Sequence, residues 1–337
     1  MAILISLLII SAPISSAAEF DGEVAERMLL YQRDAGGWPK NYDRKRKLSQ
    51  SDRKQLTEEK SRNDSTIDNG ATHTEIQYLA KAFHETHDQR YRDAALRGIE
   101  FVLQAQYKNG GWPQRPEDRS GYSRHITFND GAMIGVMSML RAIAKDRSTY
   151  SFVSPALRNR CAQAIKRGID CILRCQIVVA GNKTVWCAQH DEVSFEPRRA
   201  RSYELPSLSG SESVGIVKFL MKVENPNQQI IDAIESATSW FRKSQLQGIR
   251  VERVSAPTQP NGYDRIVVKA ANAPPMWARF YTIEGNQPIY CSRDGIPIRS
   301  LAEISHERRN GYSWLGYYAT DLLEKQYPTW KSDQQQP

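Results

Sequence analysis

Arg97-Gly98-Ile99-Glu100-Phe101-Val102-Leu103-Gln104-Ala105-Gln106 returns 70 residues later as Arg167-Gly168-Ile169-Asp170-Cys171-Ile172-Leu173-Arg174-Cys175-Gln176. Helix-like stretches also end in glutamine at Gln32 and Gln245, so the four glutamines are spaced by 74, 70 and 69 residues. A period near 70 has room for two helices and a long loop. Units of that kind, repeated, stack or close into a ring.

A second element recurs between the repeated helices. Asp68-Asn69-Gly70-Ala71, Asn129-Asp130-Gly131-Ala132 and Asn310-Gly311-Tyr312 set Asn or Asp beside Gly. The first two precede runs of helical period; after Asp130, Met133, Val136, Met137 and Leu140 fall on one face. Ser209-Gly210-Ser211 before Val214 and Val217 is a weaker copy. Short polar side chains in such places serve as N-caps. Acidic ones at several helix starts, converging on one mouth, would instead form a site.

The chain has 337 residues, 40% of them hydrophobic, enough for a substantial core. Met1 to Ala18 carries no charged side chain and ends Ser15-Ser16-Ala17-Ala18, the pattern of a cleaved signal peptide. The expected product is a single catalytic domain, residues 19–337, secreted or periplasmic and monomeric. Forty-six Lys plus Arg against 38 Asp plus Glu give +8. A basic surface suits polyanions. Interleaved acid and the absence of any nucleic-acid module signature argue against nucleic acid, and no later stretch is apolar enough to span a membrane. Cys161, Cys171, Cys175, Cys187 and Cys291 form no CxxC pair and read as core residues. Between the helices, Arg44 to Arg62 reads as a solvated loop or short helix, and Ala180 to Ser211 and Val251 to Pro275 as loop-rich insertions.

Gly36-Gly37-Trp38-Pro39-Lys40 and Gly110-Gly111-Trp112-Pro113-Gln114 follow the first two repeat glutamines, with Trp186 near the corresponding place in the third repeat. Double Gly ends a helix and Pro prevents its resumption. The indoles either stack on sugar rings or anchor their loops in the core. Arginines gather among aromatic residues in Arg198-Arg199-Ala200-Arg201-Ser202-Tyr203-Glu204, Trp277-Ala278-Arg279-Phe280-Tyr281 and Ser292-Arg293-Asp294-Gly295. Guanidinium forks match carboxylates. The histidines show no metal-ligand spacing; His84 and His87 lie in a charged helix end, while His73 and His190 sit within motifs.

Ile67 to Thr72, both Gly-Gly-Trp-Pro motifs, Thr127 to Ala132, Cys187 to Asp191, Ala200 to Ser213 and Trp277 to Asn310 together resemble the pectate lyases of polysaccharide lyase family ten. The resemblance runs from about Val24 to Tyr318 and implies an all-α (α/α)3 toroid of helical hairpins with long loops and little β. It implies calcium at Asp68 and Asp130, with Asn69 assisting. It makes Arg201 the base that removes the C5 proton of galacturonate, and Arg279 and Arg293 the holders of substrate carboxylates. Trp38 and Trp112 are candidate substrate-stacking residues.

This set suits β-elimination from polygalacturonate. A proton beside a carboxylate is weakly acidic, and a hard cation on that carboxylate stabilises the charge that develops. Calcium takes oxygen ligands such as two Asp carboxylates. Arginine titrates above about 12, so neighbouring positive charge would have to lower it and activity should rise toward alkaline pH. Two rivals keep the same surface. An inverting hydrolase would use Asp68 and Asp130 as acid and base; a non-catalytic pectin-binding module would use the indoles and the basic groove.

Overall fold

A computed structural model describes residues 20–334. The leader read at Met1 to Ala18 lies outside the described residues. The first helix, α1 (Gly22–Tyr31), starts where the Asp21 carboxylate accepts from the Glu23 and Val24 N–H groups. The charged connector folds into α2 (Gln50–Glu58), begun by a capping box between Ser49 and Asp52.

Three helical hairpins follow. In each a more enclosed helix packs on a longer amphipathic one: α3 (His73–Thr86) on α4 (Gln89–Ala105), α5 (Ala132–Lys145) on α6 (Pro155–Cys175), and α7 (Glu212–Leu220) on α8 (Gln228–Lys243). α3, α5 and α7 are successive neighbours, as are α4, α6 and α8, while α1 packs against α3 and α4. This is the expected (α/α)3 toroid. The amphipathic helices start at side-chain caps, Asp88, Ser154 and Asn227, and present buried residues at three- and four-residue spacing.

The repeated sequence is the wiring between hairpins. Gln32 Nε2 donates to Gly36 O in its own loop and to Ala94 O in α4, both at 2.9 Å. Gln106 does the same to Gly110 and Ala164 at 2.9 Å, and Gln176 to Thr184 and Ala233 at 3.0 Å. The recurring arginine closes the circuit: Arg97 and Arg167 donate to the side-chain oxygens of Gln32 and Gln106 at 2.6 and 2.5 Å. Gln245 has no further hairpin to join and accepts from Gln247 instead. Gln32 is 2% exposed, so Gln32→Met strands two carbonyls and a guanidinium. We expect a loss of about 1–3 kcal/mol, read as a lower denaturant midpoint at unchanged m.

The same joints seat four indoles. Trp38, Trp112, Trp186 and Trp277 are all buried and donate from Nε1 to Met28, Val102, Ile172 and Phe241 carbonyls at 2.7–2.8 Å. Gly98 leaves room for Trp38 and Ile76, which a Cβ would meet at 2.9 and 2.6 Å; Gly168 does so for Trp112 and Met137. Trp38 and Trp112 are therefore loop anchors with no face open to a sugar, and the stacking role expected of them does not hold. The invariant indole–carbonyl bond, with Gly where the ring must fit, is the physical content of the Gly-Gly-Trp-Pro motif.

Among the described residues, strand is confined to two-residue pairs and one long hairpin, Ile249–Ser255 with Tyr263–Lys269. The hairpin occupies most of the stretch read as a loop-rich insertion. All five cysteines are buried and free, in keeping with their reading as core residues. Among the described residues, no helix is long and apolar enough to cross a membrane.

Candidate active site

The Asx-Gly motifs do not cap their helices. α3, α5 and α7 all begin without a side-chain cap, at Thr72, Gly131 and Ser211. The chain instead enters α3 and α5 through short turns, Asp68–Gly70 and Asn129–Gly131, in which Asn69 (φ 50°) and Asp130 (φ 49°) adopt left-handed backbone. Such conformations cost energy in residues other than Gly and persist where the surroundings impose them. The two turns touch each other, and the Asn129–Gly131 turn touches α7. Three enclosed-helix starts thus converge at one mouth.

At that mouth Asp68 is fully buried and paired through one oxygen with Lys40, while its Oδ1 has no hydrogen-bond partner among the described residues. Asn69 is exposed and donates to Asn41 at 3.0 Å. The Asp130 carboxylate is 35% exposed and accepts from Asn129 Nδ2 at 2.8 Å and from Arg279 Nη2 at 2.9 Å. Glu212, buried at the start of α7, takes Ser209 Oγ on one oxygen and Arg279 on the other. Arg279 is therefore held between two carboxylates and laid 4.6 Å over the Tyr312 ring. Burial opposes its charge, but Glu212, Tyr312 and Asp130 outweigh this and keep it charged above its ordinary range.

Arg201 is linked to Tyr312 through Glu204. The Tyr312 hydroxyl donates to Glu204 Oε1 at 2.8 Å, and Glu204 Oε2 accepts the Arg201 backbone N–H at 3.1 Å and faces its Nε at 3.6 Å. Arg201 Nη1 donates to the Tyr203 hydroxyl at 2.9 Å. Burial works against the Arg201 charge, yet Tyr203 and Glu204 prevail and raise it above the usual range. The expected depression would come from bound calcium and other guanidiniums; within the protein alone the nearest partners are an acid and a phenol, and they favour the charged form. Arg293 stands at the rim, exposed and paired with Glu307 at 2.9 Å. The guanidiniums of Arg201, Arg293 and Arg308 surround the Tyr203 ring at 5.9, 5.7 and 4.5 Å.

His73 and His190 are both pushed down to about 4 by burial. His190 is a loop pin, accepting from the Cys187 N–H at 3.0 Å and bonded to Phe195 O at 2.7 Å. His84 and His87 are exposed, as expected. A second acidic cluster, His125, Asp191 and Glu192, has ligand atoms within 4.8 Å of one another. Its carboxylates already face Arg198 and Arg124, at 2.9 and 3.1 Å, and Asp191 also accepts two backbone N–H groups.

Sequence reasoning brings Asp68, Asp130, Arg201, Arg279 and Arg293 to one region but misses Lys40, Tyr203, Glu204, Glu212 and Tyr312. Glu212 sits three residues beyond Ser209 in the weak copy of the turn motif, and Lys40 closes the first Gly-Gly-Trp-Pro motif. Both were legible as positions but gave no sign of their partners.

Residues 32–323 match the family model described as pectic acid lyase. The chain belongs to the pectic acid lyase family. Two solved structures are similar: a family 10 polysaccharide lyase from Cellvibrio cellulosa, and a mutant of that lyase in complex with trigalacturonic acid. Each is 34% identical to this chain, with a TM-score of 0.78 and 92% of the other chain covered; the shares of this chain are 91% and 90%. No curated protein matches. As a member of the pectic acid lyase family, the protein is a lyase acting on polysaccharide, and its toroid is the family 10 architecture.

Proposed function

We propose that this lyase cleaves α-1,4-polygalacturonate by β-elimination, with calcium held at Asp68 and Asp130 and Arg201 as the base, and that it acts outside the cytoplasm. The observation that carries the reading is the union, at one mouth, of a buried acceptor without a donor, an outward carboxylate and a ring of guanidiniums. The trigalacturonic acid complex of the similar lyase supports the substrate, and the leader read at Met1 to Ala18 fits an enzyme whose polymer lies outside the cell.

The residues fit a hard cation. Asp68 Oδ1 is a buried acceptor with no donor among the described residues, and Asp130 opens to the mouth; carboxylate oxygens are what calcium selects. When bound, calcium supplies positive charge to the substrate carboxylate. Arg279 and Arg293 hold sugar carboxylates by fork-to-fork contact. Arg201, once neutral, takes the C5 proton; the electron pair forms the C4–C5 double bond as the C4–O bond breaks, and the departing oxygen takes a proton from water. The product end is 4,5-unsaturated. Burial, the leading cause, pushes the Tyr312 phenol well above its ordinary range, so it remains a donor to Glu204 in alkaline solution.

Chelation tests the metal. With tight chelator, turnover of polygalacturonate should stop and return on adding calcium, and calcium should raise Tm in the absence of substrate by mass action. Asp130→Ala should increase the calcium needed for half-maximal rate by about tenfold or more, since it removes a charged oxygen ligand. Full activity in chelator, or an unchanged requirement in Asp130→Ala, removes calcium from the site.

A further inference from the structure

The long hairpin carries an uncompensated charge on one face. Arg253 and Arg265 are directly opposed across its two strands, so both side chains rise from the same face, together with Val251, Val267 and Tyr263. Like charges in that relation destabilise a hairpin, their Cβ atoms lying about 4.5–5.5 Å apart. Neither arginine has a carboxylate partner among the described residues. Charges on the opposite face are matched: Arg250 with Glu252, and Asp264 with Arg309 and Asn310. The mismatch is thus specific to one face.

The two arginines are also held. The Arg253 guanidinium lies 3.5 Å over the Tyr263 ring, and Arg265 Nη1 donates to the Tyr312 backbone carbonyl at 3.2 Å. Tyr312 is the residue whose ring supports Arg279. Arg265 and Arg279 therefore meet on Tyr312, and Arg253 stands directly across the hairpin from Arg265. Fixed guanidinium forks at fixed spacing recognise carboxylates, and a polyuronate carries one carboxylate per sugar.

We propose that the Arg253–Arg265 face is a second carboxylate-binding surface that engages the polygalacturonate chain beyond the sugars undergoing elimination. It rests on the polyuronate reading of the active site and extends it outward. The chain anchored there cancels the repulsion between the two arginines.

Two readouts on the full-length protein test this: KM for long polygalacturonate, and retardation of the protein in a gel containing polygalacturonate with chelator present. Arg253→Gln should raise KM about threefold and the Arg253→Gln/Arg265→Gln pair about tenfold, as for one and two exposed ion pairs, with weaker retardation in step. Arg250→Gln, on the other face, should change neither. Tm of the double variant should stay near the parent value, relieved repulsion offsetting the lost Arg265–Tyr312 hydrogen bond and Arg253–Tyr263 contact; this separates lost binding from lost fold. Unchanged KM and retardation in the double variant, or an equal effect from Arg250→Gln, overturns the proposal. Hairpin-dependent retardation without any unsaturated product would sink the lyase chemistry and leave this surface standing, whereas elimination indifferent to the hairpin would do the reverse.

Discussion

Arg201→Ala should lower kcat on polygalacturonate by about 10²–10⁴-fold, the range for loss of a positioned general base, and leave KM within about threefold. The split follows from the proposed roles: if Arg279 and Arg293, each held apart from Arg201, grip the substrate carboxylates, binding survives the loss of Arg201. Steady-state kinetics in saturating calcium read both constants. Residual kcat within tenfold of the parent would strip Arg201 of the base role. The pH profile gives an independent check with a definite sign. Tyr203 and Glu204 keep Arg201 protonated in the free protein, so below its titration the neutral fraction, and with it the rate, should grow about tenfold per pH unit. Glu204→Gln removes one stabiliser of the charge and should move that limb to lower pH.

Arg279→Ala should cost stability as well as activity. Arg279 is 8% exposed and is the cation for Glu212, which is itself 7% exposed. Breaking a buried pair from one side leaves an uncompensated charge, a loss of about 3–5 kcal/mol. In a chain of this length that corresponds to a fall of roughly 5–10 °C in Tm. Arg279→Ala/Glu212→Gln should recover much of the Tm but none of the activity, because the buried charge is gone while the substrate carboxylate still lacks its partner. Scanning calorimetry on both variants decides it, and a single variant as stable as the parent would show that Glu212 is not dependent on Arg279.

The toroid was legible because its joints are written in sequence-local chemistry. Gln32, Gln106 and Gln176 recur since each must reach one loop carbonyl and one carbonyl of the next helix, and Gly98 and Gly168 recur since an indole needs the space. The fourth joint was harder to read. Trp277 meets Phe241 across 36 residues, with the long hairpin inserted between them, where Trp38 and Trp112 each reach back only 10. That hairpin was itself hidden by Pro257 and Pro260, although Asn261-Gly262 marks its turn and Val251 and Val267 face each other on its strands.

The site was legible in its charges but not in its pairings. Turns and arginine clusters marked the region, and the resemblance to family ten lyases singled out Asp68, Asp130, Arg201, Arg279 and Arg293 within it. Glu204, Glu212 and Tyr312 act through contacts spanning 67 and 108 residues, Arg279 with Glu212 and Tyr312 with Glu204, which no local pattern encodes. The same limit misled the reading of Trp38 and Trp112: their motif shows that an indole is required but not which way it turns.

The central claim is elimination at this mouth, and it is tested most directly by following the ultraviolet absorbance of the conjugated uronate with polygalacturonate at alkaline pH, with calcium and with chelator, while counting new reducing ends. The account predicts an absorbance rise that matches the reducing ends one for one and disappears with chelator. Reducing ends without absorbance would mean hydrolysis, and would contradict it.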